Sequence, residues 1–244
     1  MKKNITILSL VAAPFLIIGC GGGSSTTNTS NITNTQAKVS GTVPGTFIEA
    51  YCDDGTYVST TSVQNGTSKH PFELSVPKNI TCRLVMTTNE NNATQRVVSP
   101  ININGKTAMQ LTGDTDIGYV DIPATYAEAT DIDGDHVQDN NIDVTPSSLN
   151  GDALDDSATN NPFDRNNDGK IDILEDRDGN HMADGWDDKN NNGKPDLEDD
   201  SDGNHRPDLL DDKDKDGIPQ YDDANDNRNG GETDDLETHN DTNR

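Results

Sequence analysis

DRNNDGKIDILE, residues 164–175, carries side-chain oxygens at positions 1, 3, 5, 9 and 12, from Asp164, Asn166, Asp168, Asp172 and Glu175. Gly169 stands at position 6 and Ile171 at position 8. An alternating run of oxygens curled on itself suits a hard cation, because Ca²⁺ takes roughly six to eight oxygen ligands. Position 7 gives its backbone carbonyl, so Lys170 can stand there without conflict. Glu175 can return as a bidentate carboxylate, and Gly169 permits the sharp turn between them.

Working outward, the same register recurs every twelve residues, with loops opening at Asp176, Asp188, Asp200 and Asp212. The second offers Asp176, Asp178, Asn180, Asp184 and Asp187, with the carbonyl of Met182. The third offers Asp188, Asn190, Asn192, Asp196 and Asp199, and the fourth Asp200, Asp202, Asn204, Asp208 and Asp211. The fifth offers Asp212, Asp214, Asp216 and Asp223 with the carbonyl of Ile218, but has Gln220 at position 9. Loops at 164, 188 and 212 carry Gly at position 6; those at 176 and 200 carry Gly at position 4 and His at 6. The structural unit is therefore expected to be a 24-residue pair. An isolated run, DIDGDHVQD, places Asp131, Asp133, Asp135 and Asp139 in the second register, but Ile142 stands at its position 12 and leaves the site incomplete.

Each twelve offers only a few apolar residues, such as Ile171, Ile173 and Leu174, or Met182 and Trp186. Against an ordering cost of ~1–2 kcal/mol per residue this predicts that metal must supply the difference. Residues 164–223 hold 21 acidic and 8 basic side chains, a net of −13. Without cations such a segment is expected to repel itself open, and with calcium to close into a stiff rod. The glutamate at position 12 ranks the 164–175 loop as the tightest site, in an overall affinity range of ~10⁻⁴–10⁻³ M. Each loop abuts the next, so paired EF-hands with flanking helices are excluded.

Back-to-back DxDxDGxxDxxD and DxDGNxxxDxxD loops resemble the thrombospondin type 3 repeats of matrix and bacterial surface proteins. That resemblance implies a metal-organised structure wound around Ca²⁺ with little regular secondary structure. Gln220 and the absence of cysteines in the repeats depart from the pattern. At the other end, Lys2 and Lys3 precede an apolar run from Ile5 to Ile18, and Ile17-Ile18-Gly19-Cys20 closes it. Fourteen residues do not cross a ~30 Å hydrocarbon layer as a helix, so residues 1–19 read as a signal peptide. Gly19-Cys20 resembles a bacterial lipobox, which implies lipidation of Cys20; an ordinary secretory signal with an incidental cysteine is the alternative. Residues 20–36 suit a flexible tether. By the same resemblance, Gly21 after the cysteine implies sorting to the outer membrane.

Between 37 and 123 the character changes to short alternating runs punctuated by Gly, Asn and Pro. Eight are read as strands: 38–43, 46–52, 57–63, 72–76, 80–87, 96–99, 108–111 and 117–122. Their length and spacing predict a β-sandwich. The segments VSGTVPGTFIEAYCDDGTY and FELSVP resemble carboxypeptidase regulatory-like, prealbumin-type sandwich domains. The expected fold class is thus an all-β sandwich followed by a calcium-organised irregular repeat region. In an exported chain Cys52 and Cys82 read as a disulfide, two buried free thiols being the alternative. Residues 124–163 read as a linker and 224–244 as a disordered acidic tail.

Residues 1–130 hold 9 acidic and 8 basic side chains, and 131–244 hold 35 and 10. So acidic a half argues against nucleic acid, whose phosphates it would repel. No nucleophile elbow, zinc motif or phosphate loop appears, and no enzymatic activity is expected. His136, His181 and His205 fall at position 6, where a positive φ explains histidine. Trp186 reads as a packing residue ahead of a sugar platform. The expected function is structural: a lipid-anchored envelope protein with calcium ions as partners, acting as spacer or adhesion module. The alternative is a β-sandwich that binds a glycan, peptide or partner protein.

Overall fold

A computed structural model describes residues 35–155, 161–213, 215 and 217–223. The signal peptide, Cys20, most of the tether, Asp214, Asp216 and the tail at 224–244 lie outside the described residues. All eight expected runs form strands: β1 (Gln36–Val43), β2 (Phe47–Cys52), β3 (Tyr57–Thr61), β4 (His70–Pro77), β5 (Thr81–Thr88), β6 (Val97–Ile103), β7 (Ala108–Leu111) and β8 (Thr115–Tyr119). The reason is local: β4 alternates buried and exposed residues along its length, as period-two patterning requires of a half-buried strand.

Residues 124–163, expected as a linker, supply two more strands, β9 (Ile142–Val144) and β10 (Gly151–Leu154). These strands are too short to carry a clear alternation. β9 pairs with β6 in parallel and β10 with β7 antiparallel.

Two sheets result. One has the order β4-β1-β8, and the other runs β10-β7-β5-β2-β3 with β6 and β9 branching from β5. One edge of β5 is shared, since β7 pairs with Thr81 and Cys82 and β6 pairs with Leu84–Thr88. The inner faces meet in one apolar cluster, with Val39, Leu74 and Ile117 from the small sheet and Ile48, Leu84, Met86 and Ile101 from the large one. The fold of the described residues is all-β; their helical turns are three-residue 3₁₀ segments.

β5 is buried at all eight positions, unlike β4. Its outer face is covered by the repeats. A second apolar cluster joins Tyr51, Tyr57, Val85 and Val98 of the large sheet to Phe163, Ile171, Ile173, Leu174, Ala183, Trp186, Leu197, Leu209, Leu210 and Tyr221 of the array. The repeats thus form a third layer within the same compact unit as the sheets. The sparse apolar residues of each loop suffice because they share one sheet face, and each fully buried side chain contributes ~1.5–3 kcal/mol. Burial against the sheet supplies part of the difference that the sequence left to metal.

Cys52 and Cys82 lie opposite each other on β2 and β5 and are joined in a disulfide across 30 residues of chain. Constraining the unfolded chain by a loop of this size stabilises by ~2–4 kcal/mol. A Cys52→Ser/Cys82→Ser variant is expected to lose about that much in urea unfolding, and a loss under ~1 kcal/mol would refute it.

Glu49 of β2 faces the repeat layer with no exposure. One of its oxygens accepts hydrogen bonds from the hydroxyls of Tyr51 (2.8 Å) and Tyr57 (2.9 Å). Burial nevertheless pushes its carboxyl from the ordinary 4.5 up to about 7, against the opposing pull of those two hydrogen bonds. A raised carboxyl favours folding when protonated. Its contribution is complete below pH 4.5 and is lost as pH rises through 7. Glu49→Gln is therefore expected to remove ~3 kcal/mol of pH-dependent stability between those limits. Parallel stability–pH curves for the two proteins would contradict this.

Candidate metal centre

Each tandem loop is closed by its own backbone. The N–H of position 9 donates to the carbonyl just before position 1: Asp172 to Phe163 (2.8 Å), Asp184 to Glu175 (2.9 Å), Asp196 to Asp187 (2.6 Å), Asp208 to Asp199 (2.7 Å) and Gln220 to Asp211 (2.7 Å). Positions 9–11 then turn in a 3₁₀ segment, from Asp172–Leu174 through Gln220–Asp222. That turn aims position 10, and in the first, second and fourth loops position 11 as well, at the sheet, where Ile173, Leu174, Trp186, Leu197, Leu209 and Leu210 are buried. The position-9 carboxylate stays on the loop side, where Asp172 and Asp208 accept from the N–H of position 2.

The two alternating loop types share one backbone. Position 4 has positive φ at Asn167, Gly179, Asn191, Gly203 and Lys215, and position 6 at Gly169, His181, Gly193, His205 and Gly217. The 24-residue alternation records only which of the two positions is glycine. The histidines have φ of 69° and 68° at His181 and His205, and 67° at His136 in the isolated loop, as expected for their place in the register.

The position-1 carboxylate closes the turn. Asp176 accepts from the N–H groups of Gly179, Asn180 and His181, and Asp200 accepts from Gly203, Asn204 and His205. Asp188 accepts from Asn192 and Gly193, and Asp212 from Gly217. The position-12 carboxylate comes within reach of position 5: Asn180 lies 2.9 Å from Asp187, Asn192 2.7 Å from Asp199 and Asn204 3.2 Å from Asp211. Asn190 adds a 2.7 Å contact to Asp199.

Among the described residues, carboxylates converge in three places: Asp176, Asp178 and Asp184; Asp200, Asp202 and Asp208; and Asp131, Asp133 and Asp135, each group with oxygens within 4.8 Å of one another. In the third tandem loop Asp196 is buried, and its Oδ2 has no hydrogen-bond partner. Burial pushes the carboxyls of Asp196 and Asp135 up to about 6, against the opposing pull of Lys189 on the first and of the Val137 N–H and Lys170 on the second. Gathered like charges and a buried unbonded oxygen fit a hard cation with oxygen ligands.

The loop at Asp131 is built like the tandem ones. Asp139 donates its N–H to Thr130 (2.9 Å) and accepts from the N–H of Ile132 (2.6 Å). Ile142 at its position 12 instead enters β9 beside Ile101, so no twelfth ligand is present.

In the 164–175 loop, arginines lie against two of the expected ligand positions. Asp164 is buried and ion-paired with Arg83 of β5, and Asp172 lies 3.0 Å from Arg177. Asn166 contacts both Asp168 and Glu175, yet the loop's carboxylates do not form one of the converging groups. Burial and the neighbouring Asp222 raise the carboxyl of Asp172, while Arg177 opposes the rise. Of the fifth loop, Asp212, Ile218, Gln220 and Asp223 are described, with Gln220 buried.

Sequence reading missed the arginines. Arg83 and Arg96, both on the sheet side, bind array oxygens at Asp164 and at the carbonyl of Trp186. Arg96 also lies 4.3 Å from the centroid of the Trp186 ring. The signal available was a charged residue inside an otherwise uncharged run, Thr81-Cys82-Arg83-Leu84-Val85. Compared with protein-family models, curated proteins and solved structures, the chain matches none.

Proposed function

We propose that this chain is a calcium-binding envelope lipoprotein, held to the membrane through Cys20, whose repeat layer is a calcium-dependent brace on a β domain. The observation that carries the reading is a repeated oxygen register whose carboxylates converge at Asp176, Asp178 and Asp184 and again at Asp200, Asp202 and Asp208. Carboxylate and carbonyl oxygens without histidine or thiolate select a hard cation over zinc or copper. Asp188, Asn190, Asn192, Asp196 and Asp199 would hold a further ion, with Asp196 supplying its buried oxygen. The role is a structural or adhesion module of the envelope.

Calorimetry of the full chain is expected to show calcium binding at ~10⁻⁴–10⁻³ M. Asp176→Asn and Asp200→Asn should each remove one site. No calcium-dependent heat at millimolar ion would end the reading. Cys20→Ala should release the protein from the membrane fraction, and unchanged membrane partitioning would refute the anchor.

A second reading, a glycan-binding β domain, has one observation in its favour. A groove of about 660 Å³ between the small sheet and β3 is lined by Thr60 and Thr61 of β3 and by Glu73, Asp116 and the exposed ring of Tyr119 of the small sheet. Tyr51, Tyr57 and Phe72, by contrast, are buried and form no exposed aromatic row.

A further inference from the structure

We infer that the guanidinium of Arg83 occupies the first tandem loop in place of a calcium ion, making residues 164–175 a metal-independent clasp between array and sheet. The inference rests on the calcium reading of the other loops. It turns on which oxygens Arg83 touches. Its Nη2 lies 2.7 Å from Oδ2 of Asp164, and its Nη1 donates to the carbonyl of Lys170 at 3.1 Å. In the twelve-residue register these are positions 1 and 7, two of the oxygens that would ligate the ion.

The pair is fixed and dry. Its side chains are 6% and 2% exposed. A charge-assisted bond in such a setting is strong, and breaking it strands a buried charge. Asp164 also accepts from the N–H groups of Asp168 (3.2 Å) and Gly169 (3.1 Å), so both its oxygens are engaged within the protein. Position 9 is engaged as well, with Asp172 accepting from the N–H of Arg165 at 2.9 Å and facing Arg177.

Electrostatics then separates this loop from its neighbours. A divalent cation placed on Asp164 and Lys170 would lie beside a fixed positive charge in a region of low dielectric, where repulsion is poorly screened. Arg83 stands on β5 opposite Tyr51 of β2, with its side chain 6% exposed. At 176 and 200 the position-1 carboxylates accept from backbone N–H groups, and the lysine beside the first of these groups, Lys189, lies 3.6 Å from Asp184 at position 9 and not on position 1. The first loop keeps the calcium register because its backbone turn is needed, and an arginine supplies the positive charge at its centre.

The residue at position 6 reports on each site, because its N–H donates to the position-1 carboxylate, from glycine in the first, third and fifth loops and from His181 and His205 in the second and fourth. Isotope-labelled full-length protein can be titrated with calcium from a chelated start while these amide resonances are followed. The Gly193 resonance and those of His181 and His205 are expected to move, and Gly169 to remain in place. In Arg83→Gln, Gly169 should respond at calcium at least about tenfold lower than in the wild type, as removal of a neighbouring charge requires. Amides of Asp172 and Leu174 should stay protected from hydrogen exchange in chelator, while those of Asp196 and Asp208 lose protection.

Movement of Gly169 together with Gly193 in the wild type would overturn the inference and leave calcium binding in the other loops intact. A folded Arg83→Gln protein in which Gly169 still ignores calcium would also overturn it. If no amide responds in any loop, both this inference and the calcium reading fail. Should Arg83→Gln fail to fold, the order of response in the wild type decides alone.

Discussion

Chelating calcium from the intact chain is expected to move the fluorescence of Trp186 to longer wavelength and to lower the unfolding midpoint of the whole protein. Trp186 is the only tryptophan of the chain, so the signal has one source. It stands at position 11 of the second loop, 3% exposed, with the Phe47 ring edge-on at 6.3 Å. The loop that holds it contains the converging carboxylates of Asp176, Asp178 and Asp184. With the cation removed, those charges repel one another within an array of net charge −13. Two independent sites, each at a hundredfold its dissociation constant, stabilise by ~5 kcal/mol together. Because Tyr51, Tyr57, Val85 and Val98 share a core with the array, the sheet should lose stability along with the repeats. An unchanged midpoint and emission maximum in calcium and in chelator would refute this.

Trp186→Ala is expected to destabilise the calcium-loaded protein by ~3–5 kcal/mol, the cost of emptying a large aromatic site in a close-packed cluster. The substitution removes the contact with Phe47 and the ring face that lies 4.3 Å from the Arg96 guanidinium, which keeps its hydrogen bonds to the carbonyls of Glu90 and residue 186. Arg96 is itself buried, so an unoccupied volume beside its charge adds to the loss. The effect should reach the metal site, since the 3₁₀ turn Asp184–Trp186 joins the ring to a candidate ligand. Calcium affinity measured in the same variant should fall. A urea midpoint equivalent to less than ~1 kcal/mol of loss would show that Trp186 is peripheral to the cluster.

Some of this was legible in the residues themselves. Alternation in Phe72-Glu73-Leu74-Ser75-Val76 marked β4, because the side-chain period of a strand is a local property. Gly169, Gly193 and Gly217 at one register position, and His181 and His205 at the same position of the other loop type, marked a backbone with positive φ. Cys52 and Cys82 marked the disulfide that joins β2 to β5. The short strands β9 and β10 escaped because three or four residues hold too little pattern; their pairing with β6 and β7 stabilises them.

The sequence by itself determined the loop register, the turns within each loop and the first eight strands of the β domain, all of which depend on neighbours a few residues apart. Only the tertiary structure decided where the array lies and which loops gather carboxylates. Arg83 meets Asp164 across 81 residues and Arg96 meets the carbonyl of Trp186 across 90. No twelve-residue pattern encodes such a meeting. The loop with the strongest match, 164–175, is the one whose first carboxylate an arginine from β5 reaches. The physical reason is that a ligand register describes the oxygens a loop can offer. The charge that occupies them is set by whatever strand the loop is folded against.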